Sequence, residues 1–300
     1  MTLRLTARRC PMATIADKPP LAGRSALLDD YLDGYQRFLD SPFVEIRDPS
    51  RLSTGERRAL QARCRQAGMA LYRTGPGRLQ TPAQVVALGE QLGLRTLDRH
   101  PLVREDGVST LMQAPAGERR AEYIPYTDRP INWHTDGYYN PPERRVRGLI
   151  LHCVRPAREG GVNRLLDHRL VWQALAVSRP DALKALQHPR AMTIPPDPRA
   201  PEQGDRSGPV FLLEPTGLHM RYTARTRSIR WAPDGPAEAS VVLREMLDHL
   251  SPWVLEHRLA PGEGLICNNV LHTRTGFVDP TDGPGRCLFR ARYHERVMAT

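Results

Sequence analysis

Helical spacing organises the first third of the chain. In "SALLDDYLDGYQRFLD" the apolar residues Leu28, Leu32, Tyr35 and Leu39 fall on one helix face. "PFVEIRD" then reads as a strand, and "STGERRALQARCRQAG" as a helix with Ser53 and Glu56 at capping-box spacing and Gly68 as its stop. "MALYRT" reads as a second strand, and "TPAQVVALGEQLGL" as a helix capped by Thr81 with Pro82 in its first turn. From Ser109 the pattern changes to short apolar runs between Pro/Gly turns: "STLMQ", "GLILHCV", "GPVFLLE", "HMRYTA", "VLEHRLA", "GLICNNVLHT" and "CLFRARYHE". These are strand signals. Helical spacing returns in "HRLVWQALAV", "PDALKALQH" and "PAEASVVLREMLDHL". The expected class is mainly β with flanking helices.

Two stretches fall outside this pattern. Residues 1–22 read as a flexible arm, within which Met12 is a possible alternative start. Residues 194–209, "IPPDPRAPEQGDRSGP", are too polar and proline-rich to pack as an element, and are expected to form a lid-like or disordered insertion. The remainder, 23–300, reads as a single domain without internal repeats.

Composition narrows the function classes. With 300 residues and 40% apolar content the chain can bury a substantial core. No run of about 18 apolar residues is present, and the first twenty residues lack an apolar block of signal length, so a cytoplasmic protein without a membrane span is expected. Cys10, Cys64, Cys153, Cys267 and Cys287 are scattered, and reduced thiols in the core are expected. The net charge is +10, but it comes almost wholly from dispersed arginines, since Lys18 and Lys184 are the only lysines. That argues against a nucleic-acid partner and is compatible with a small anionic substrate. A homo-oligomer is compatible with the sequence.

The chemistry begins at "INWHTDGYYNPPERRVRGLILHCV". In a strand, His134 and Asp136 would point to one face. With a second, distant histidine such a pair can form the facial triad of non-haem Fe(II) oxygenases, which leaves coordination positions open. HxD spacing alone is common. The second half of the chain supplies "EGGVNRLLD", then His272 after an apolar run, then the arginine-rich "CLFRARYHE".

In that order and spacing, residues from about Ser109 to Glu295 resemble the taurine dioxygenase and clavaminate synthase-like branch of the 2-oxoglutarate-dependent oxygenases. The resemblance implies a distorted double-stranded β-helix (jelly-roll) core. It makes His134, Asp136 and His272 the iron ligands and catalytic centre, with Fe(II), 2-oxoglutarate and O2 as cofactor and cosubstrates. Arg286 matches the arginine that pairs with the far carboxylate of 2-oxoglutarate, a role suited to a planar, permanently charged fork. Arg290, four residues on, matches the second arginine of the same strand, which serves cosubstrate or substrate. Asn163 stands where the family usually has threonine beside 2-oxoglutarate. Asn132, Arg221 and Arg290 are the expected substrate contacts. Asp136 as the acidic ligand argues against halogenation.

Other residues carry less. His152 lies in a continuous apolar run and reads as a core histidine; His168, His249 and His257 show no partner pattern. Arg292 reads equally well as a rim charge. "LHMRYTARTRSIRW" reads as a strand bearing Arg221, Arg225 and Arg227. If Arg221 and Arg290 converge unpaired on the cavity, an anion must sit between them. The implied reaction is oxidation of a small, anionic organic substrate with release of succinate and CO2. Alternatives are the same chemistry on a biosynthetic, amino-acid-derived or carrier-bound intermediate, and a basic binding protein without turnover.

Overall fold

The structure is a computed structural model, and it describes residues 26–99, 106–197, 202 and 204–297. The arm expected at 1–22, and with it Met12, lies outside the described residues. Helix α1 (Ala26–Asp40) buries Leu28, Leu32, Tyr35 and also Phe38, while Leu39 is only half-buried. After β1 (Phe43–Glu45) comes α2 (Thr54–Ala67), with Ser53 and Glu56 in a reciprocal capping box and Gly68 in the left-handed region at φ 70°. Strand β2 (Met69–Arg73) leads to α3 (Pro82–Glu90), capped reciprocally by Thr81 and Gln84.

The remaining elements are β3 (Val108–Leu111), β4 (Ile131–His134), β5 (Gly148–Arg155), β6 (Glu159–Gly160), β7 (Asn163–Leu166), α4 (His168–Ser178), α5 (Pro180–Leu186), β8 (Met192–Ile194), β9 (Arg206–Gly208), β10 (Phe211–Glu214), β11 (Gly217–Met220), β12 (Arg230–Trp231), α6 (Pro236–His249), β13 (Leu255–His257), β14 (Glu263–Cys267), β15 (Leu271–Arg274), β16 (Phe277–Val278) and β17 (Cys287–Tyr293). A six-stranded sheet runs β1-β2-β14-β5-β17-β3, and a four-stranded sheet runs β13-β7-β15-β4. Together they make the mainly β jelly-roll core.

Strand parity divides the core. On β5, β14 and β17, residues Leu149, Leu151, Cys153, Leu265, Cys267 and Leu288 share one cluster with Leu165 and Leu271 of the smaller sheet. The alternate residues Ile150, Ile266, Phe289, Ala291 and Tyr293 pack instead with Leu60 and Cys64 of α2 and Val85 and Leu88 of α3. Strands buried on both faces read as continuous apolar runs, which is why "GLILHCV" lacks alternation. Arg290 and Arg292 have the inward parity: they pair with Leu151 and Leu149.

Three expectations are corrected. The insertion at 194–209 is not without structure at its ends, because β8 pairs with β9 through Ile194↔Arg206 and β12 joins the same sheet; residues 198–201 and 203 lie outside the described residues. The strand expected to carry Arg221, Arg225 and Arg227 ends at Met220. The run "GLICNNVLHT" is two strands in different sheets, β14 and β15, separated by a turn in which Asn269 adopts φ 53°. Among the described residues no helix is long and apolar enough to cross a membrane.

Candidate metal centre

His134 closes β4, and its register partner on β15 is His272. The two rings lie with centroids 4.1 Å apart. Asp136 brings a carboxylate oxygen 3.7 Å from His134 Nε2, and one ligand atom from each of the three residues lies within 4.8 Å of the others. Each imidazole is aimed by its own backbone: His134 Nδ1 donates to Asn132 O and His272 Nδ1 to Val270 O, both at 2.9 Å. Nε2 is therefore the free nitrogen on both rings.

Asp136 does not share a strand face with His134 as the i, i+2 spacing predicts, because it lies beyond the end of β4, in the turn containing Gly137. Its orientation comes from Asn269. The Asp136 N–H donates to Asn269 Oδ1 at 2.8 Å, and Asn269 Nδ2 donates to Asp136 O at 2.9 Å and Val146 O at 2.7 Å.

Electrostatics keep the cluster in ligand form. Burial, and after it the neighbouring His272, hold the His134 imidazolium off down to about 3, and burial lowers His272 as well. Burial pushes the Asp136 carboxyl up, but the Arg290 and Arg292 guanidinium groups outweigh it and hold the carboxyl well below its ordinary range. Two neutral imidazoles and one carboxylate result. Asp136 Oδ2 is buried without a hydrogen-bond partner. An unsatisfied carboxylate oxygen among imidazole nitrogens is a donor set that fits a divalent Fe(II) ion.

Arg286 precedes β17 and is 4% exposed. Its guanidinium stacks at 5.0 Å on Phe277 but makes no hydrogen bond or ion pair with another described residue. Burial lowers it to about 10. It lines one cavity with Cys153, Gly160, Gly161, Asn163 and Leu288. Gly160 stands at φ 70°, where a side chain would run into the Gly276 carbonyl, and a Cβ on Gly161 would come within 3.9 Å of Arg286 Nε.

The other expected site residues are placed differently. Arg290 Nη1 lies 3.3 Å from Asp136 Oδ1. Arg221 donates to Met192 O at 2.8 Å and Arg206 O at 2.7 Å, so its guanidinium braces β8 and β9. The expected pair of uncompensated arginines, Arg221 with Arg290, is thus not present: one faces a carboxylate and the other two carbonyls. Asn132 is exposed, and its carbonyl holds His134. Arg292 is no rim charge but 2% exposed, paired with Asp98 at 2.6 Å and Tyr139 Oη at 2.8 Å. His152 is fully buried against the Tyr72 hydroxyl at 3.0 Å, and His257 has a partner after all in Glu263 at 2.6 Å.

Two residues escaped the sequence reading. Arg274, two positions beyond His272, is buried and donates to Thr127 O at 2.8 Å and to Arg129 O; burial, then Arg286 and Arg290, lower it to about 9. Its spacing from His272 was the available signal. Asn269 gave none beyond the unusual "NN" before a strand.

Residues 38–292 match the family described as "Taurine catabolism dioxygenase TauD, TfdA family". A uridine-5'-phosphate dioxygenase from Amycolatopsis sp is 30% identical over 261 residues, covering 73% of this chain and 91% of the relative. Among solved structures, an asparagine oxygenase in complex with Fe(II), 2S,3S-3-hydroxyasparagine and succinate aligns with TM-score 0.60 at 18% identity, covering 90% of this chain and 92% of the other. The non-heme iron oxygenase OrfP in complex with Fe and alpha-ketoglutaric acid aligns with TM-score 0.61 at 17% identity, covering 92% of each chain. At those identities the likeness is one of fold.

Proposed function

Given that the chain belongs to the taurine catabolism dioxygenase TauD, TfdA family, and is thereby an Fe(II)- and 2-oxoglutarate-dependent dioxygenase, we propose that His134, Asp136 and His272 hold its iron and Arg286 its cosubstrate. The observation that carries the reading is the convergence of two neutral imidazoles and one ionised carboxylate, with ligand atoms within 4.8 Å of one another. When bound, the iron supplies O2 activation coupled to oxidative decarboxylation of 2-oxoglutarate to succinate and CO2, and the oxidation of a substrate C–H bond.

The chain's own residues do the rest. The Asn132 and Val270 carbonyls fix both rings so that each Nε2 faces the metal position. Arg286, buried beside Gly160 and Gly161, presents its planar fork to the far carboxylate of 2-oxoglutarate, and the Asn163 amide borders the same cavity. Arg290 keeps Asp136 ionised from 3.3 Å away. Low solvent access at His134, Asp136, Arg286 and Arg290 excludes the water that would quench an activated oxidant.

The substrate is a compact anion, and a nucleoside monophosphate is the first to test. The relative named as a uridine-5'-phosphate dioxygenase supports this. So does the segment that extends the smaller sheet beside β4: Thr223 bridges to His134, Ala224 N–H donates to Trp133 O at 2.8 Å, and Arg225 and Arg227 follow exposed. Burial raises the Tyr138 hydroxyl and Arg225 opposes it, which places Arg225 near the ring that follows Asp136. The test is succinate formation with iron and 2-oxoglutarate, comparing uridine monophosphate, uridine, and free amino acids. Stimulation by the phosphate and not by the nucleoside is expected. Stimulation by a neutral compound alone would overturn the anionic class.

A further inference from the structure

Asp136 is the one member of the triad that no strand positions. His134 and His272 are register partners on neighbouring strands, but β4 has ended by residue 135, and the chain turns away at Gly137 with φ 69°. A ligand in a turn needs another restraint if its carboxylate is to stay beside two imidazoles.

Asn269 supplies that restraint. It is 2% exposed and spends its whole hydrogen-bonding capacity in the N–H direction: Nδ2 donates to Asp136 O at 2.9 Å and to Val146 O at 2.7 Å, while Oδ1 accepts the Asp136 N–H at 2.8 Å. Only one orientation of the amide satisfies two carbonyls and one N–H. The side chain thus bonds both polar groups of the Asp136 peptide, as a neighbouring strand would, at the point where the strand has run out. Its third bond ties the same amide to the approach of β5. The backbone of Asn269 sits at φ 53°, in the turn that carries the chain from β14 in the large sheet to β15 in the small one, three residues before His272. Asparagine tolerates that conformation better than most residues, and glycine better still.

We propose that Asn269 is a positioning residue for the metal centre: its side-chain amide locks the Asp136 turn to the β14–β15 turn, so that the carboxylate and the His272 imidazole are set by one rigid link. The proposal rests on the reading of His134, Asp136 and His272 as iron ligands. It excludes the simpler view that asparagine is there only to permit a positive φ.

Asn269→Gly separates the two, because glycine keeps the turn and deletes the amide. Fe(II) affinity is measured by anaerobic titration of the full chain, with the Co(II) absorption spectrum as a second readout. Circular dichroism of the metal-free protein reports folding, and His134→Ala serves as control. Loss of an outer partner of this kind costs about ten- to a hundredfold in metal affinity, and that is the drop expected for Asn269→Gly, with a changed Co(II) spectrum and unchanged dichroism. Wild-type affinity in Asn269→Gly, with affinity lost in His134→Ala, overturns the proposal. Wild-type affinity in both removes the triad reading itself. Should Asn269→Gly fail to fold, hydrogen exchange of the wild-type metal-free protein decides. The Asp136 amide is expected to be as protected as that of Thr135, which donates to Tyr222 O at 3.0 Å. Exchange at the rate of an exposed turn overturns the proposal.

Discussion

Arg286 carries a full charge where its fork stacks on Phe277 and bonds no carboxylate among the described residues; Asp279, which accepts its backbone N–H at 2.8 Å, acts on that charge only through space. A buried guanidinium without an acidic partner is costly, so its natural complement is a carboxylate brought by a ligand. Arg286→Gln is expected to weaken 2-oxoglutarate by the worth of a charge-assisted hydrogen bond, about 1.5–3 kcal/mol. KM for 2-oxoglutarate in a succinate assay should rise accordingly while turnover at saturation largely persists. An unchanged KM would move the role to Arg274 or Arg290, whose charges lie close enough to affect one another. At this scale, legibility depended on whether a residue's task follows from its spacing. The spacing and the family resemblance singled out His134, Asp136 and His272, whose ligand atoms converge, whereas the expected common strand face of Arg286 and Arg290 is interrupted, since Arg286 precedes β17 and the register shifts between Cys287 and Leu288. The tasks of Arg221, Arg292 and Asn269 follow from partners far away in sequence, the carbonyls of Met192 and Arg206, the Asp98 carboxylate and the Asp136 peptide, which no local spacing announces.

Both ends of α2 and the start of α3 were readable because capping is a local transaction between neighbouring residues, whereas α3 stops at Glu90, short of the expected Leu94. The break between β14 and β15 was not, since an apolar run looks the same whether it stays in one sheet or crosses to another. The C-terminus of α2 bears on that break. Gly68 accepts the Asn268 N–H at 2.7 Å, and a Cβ on Gly68 would lie 2.8 Å from the Val270 side chain. Gly68→Ala should therefore combine left-handed strain, about 1–2 kcal/mol, with displacement of the turn leading to His272. Gly75→Ala is the control: φ is 73° there, but nothing stands within 4 Å of the added Cβ. In urea unfolding Gly68→Ala should be the more destabilised, and it alone should lose Fe(II) affinity. Equal losses would mean that Val270 gives way freely.

For the molecule as a whole, acid is the expected weakness. Burial holds His152 at about 4, His168 at about 4 and His219 at about 3. In the unfolded chain each titrates near 6.5, so below about pH 6.5 the unfolded state binds protons that the folded state refuses. Stability is full above that pH and is lost as pH falls toward the folded values. Glu214 and Glu263 add to the loss at lower pH, because their arginine and histidine partners, against the upward push of burial, hold both near 2. Melting of the metal-free protein should fall on the order of 10 °C between pH 7 and 5; a flat profile would mean that these histidines take up protons within the fold. The layered β class was readable from run lengths and turns, whereas strand order was not, since β17, the last strand among the described residues, sits between β5 and β3 inside the six-stranded sheet. That placement fixes the order of assembly during synthesis. Until β17 arrives, β5 and β3 have no partner between them and Arg290 and Arg292 are missing from beside Asp136, so a chain cut before β17 can neither join β3 to the larger sheet nor hold the Asp136 carboxyl in its charged form as the full chain does.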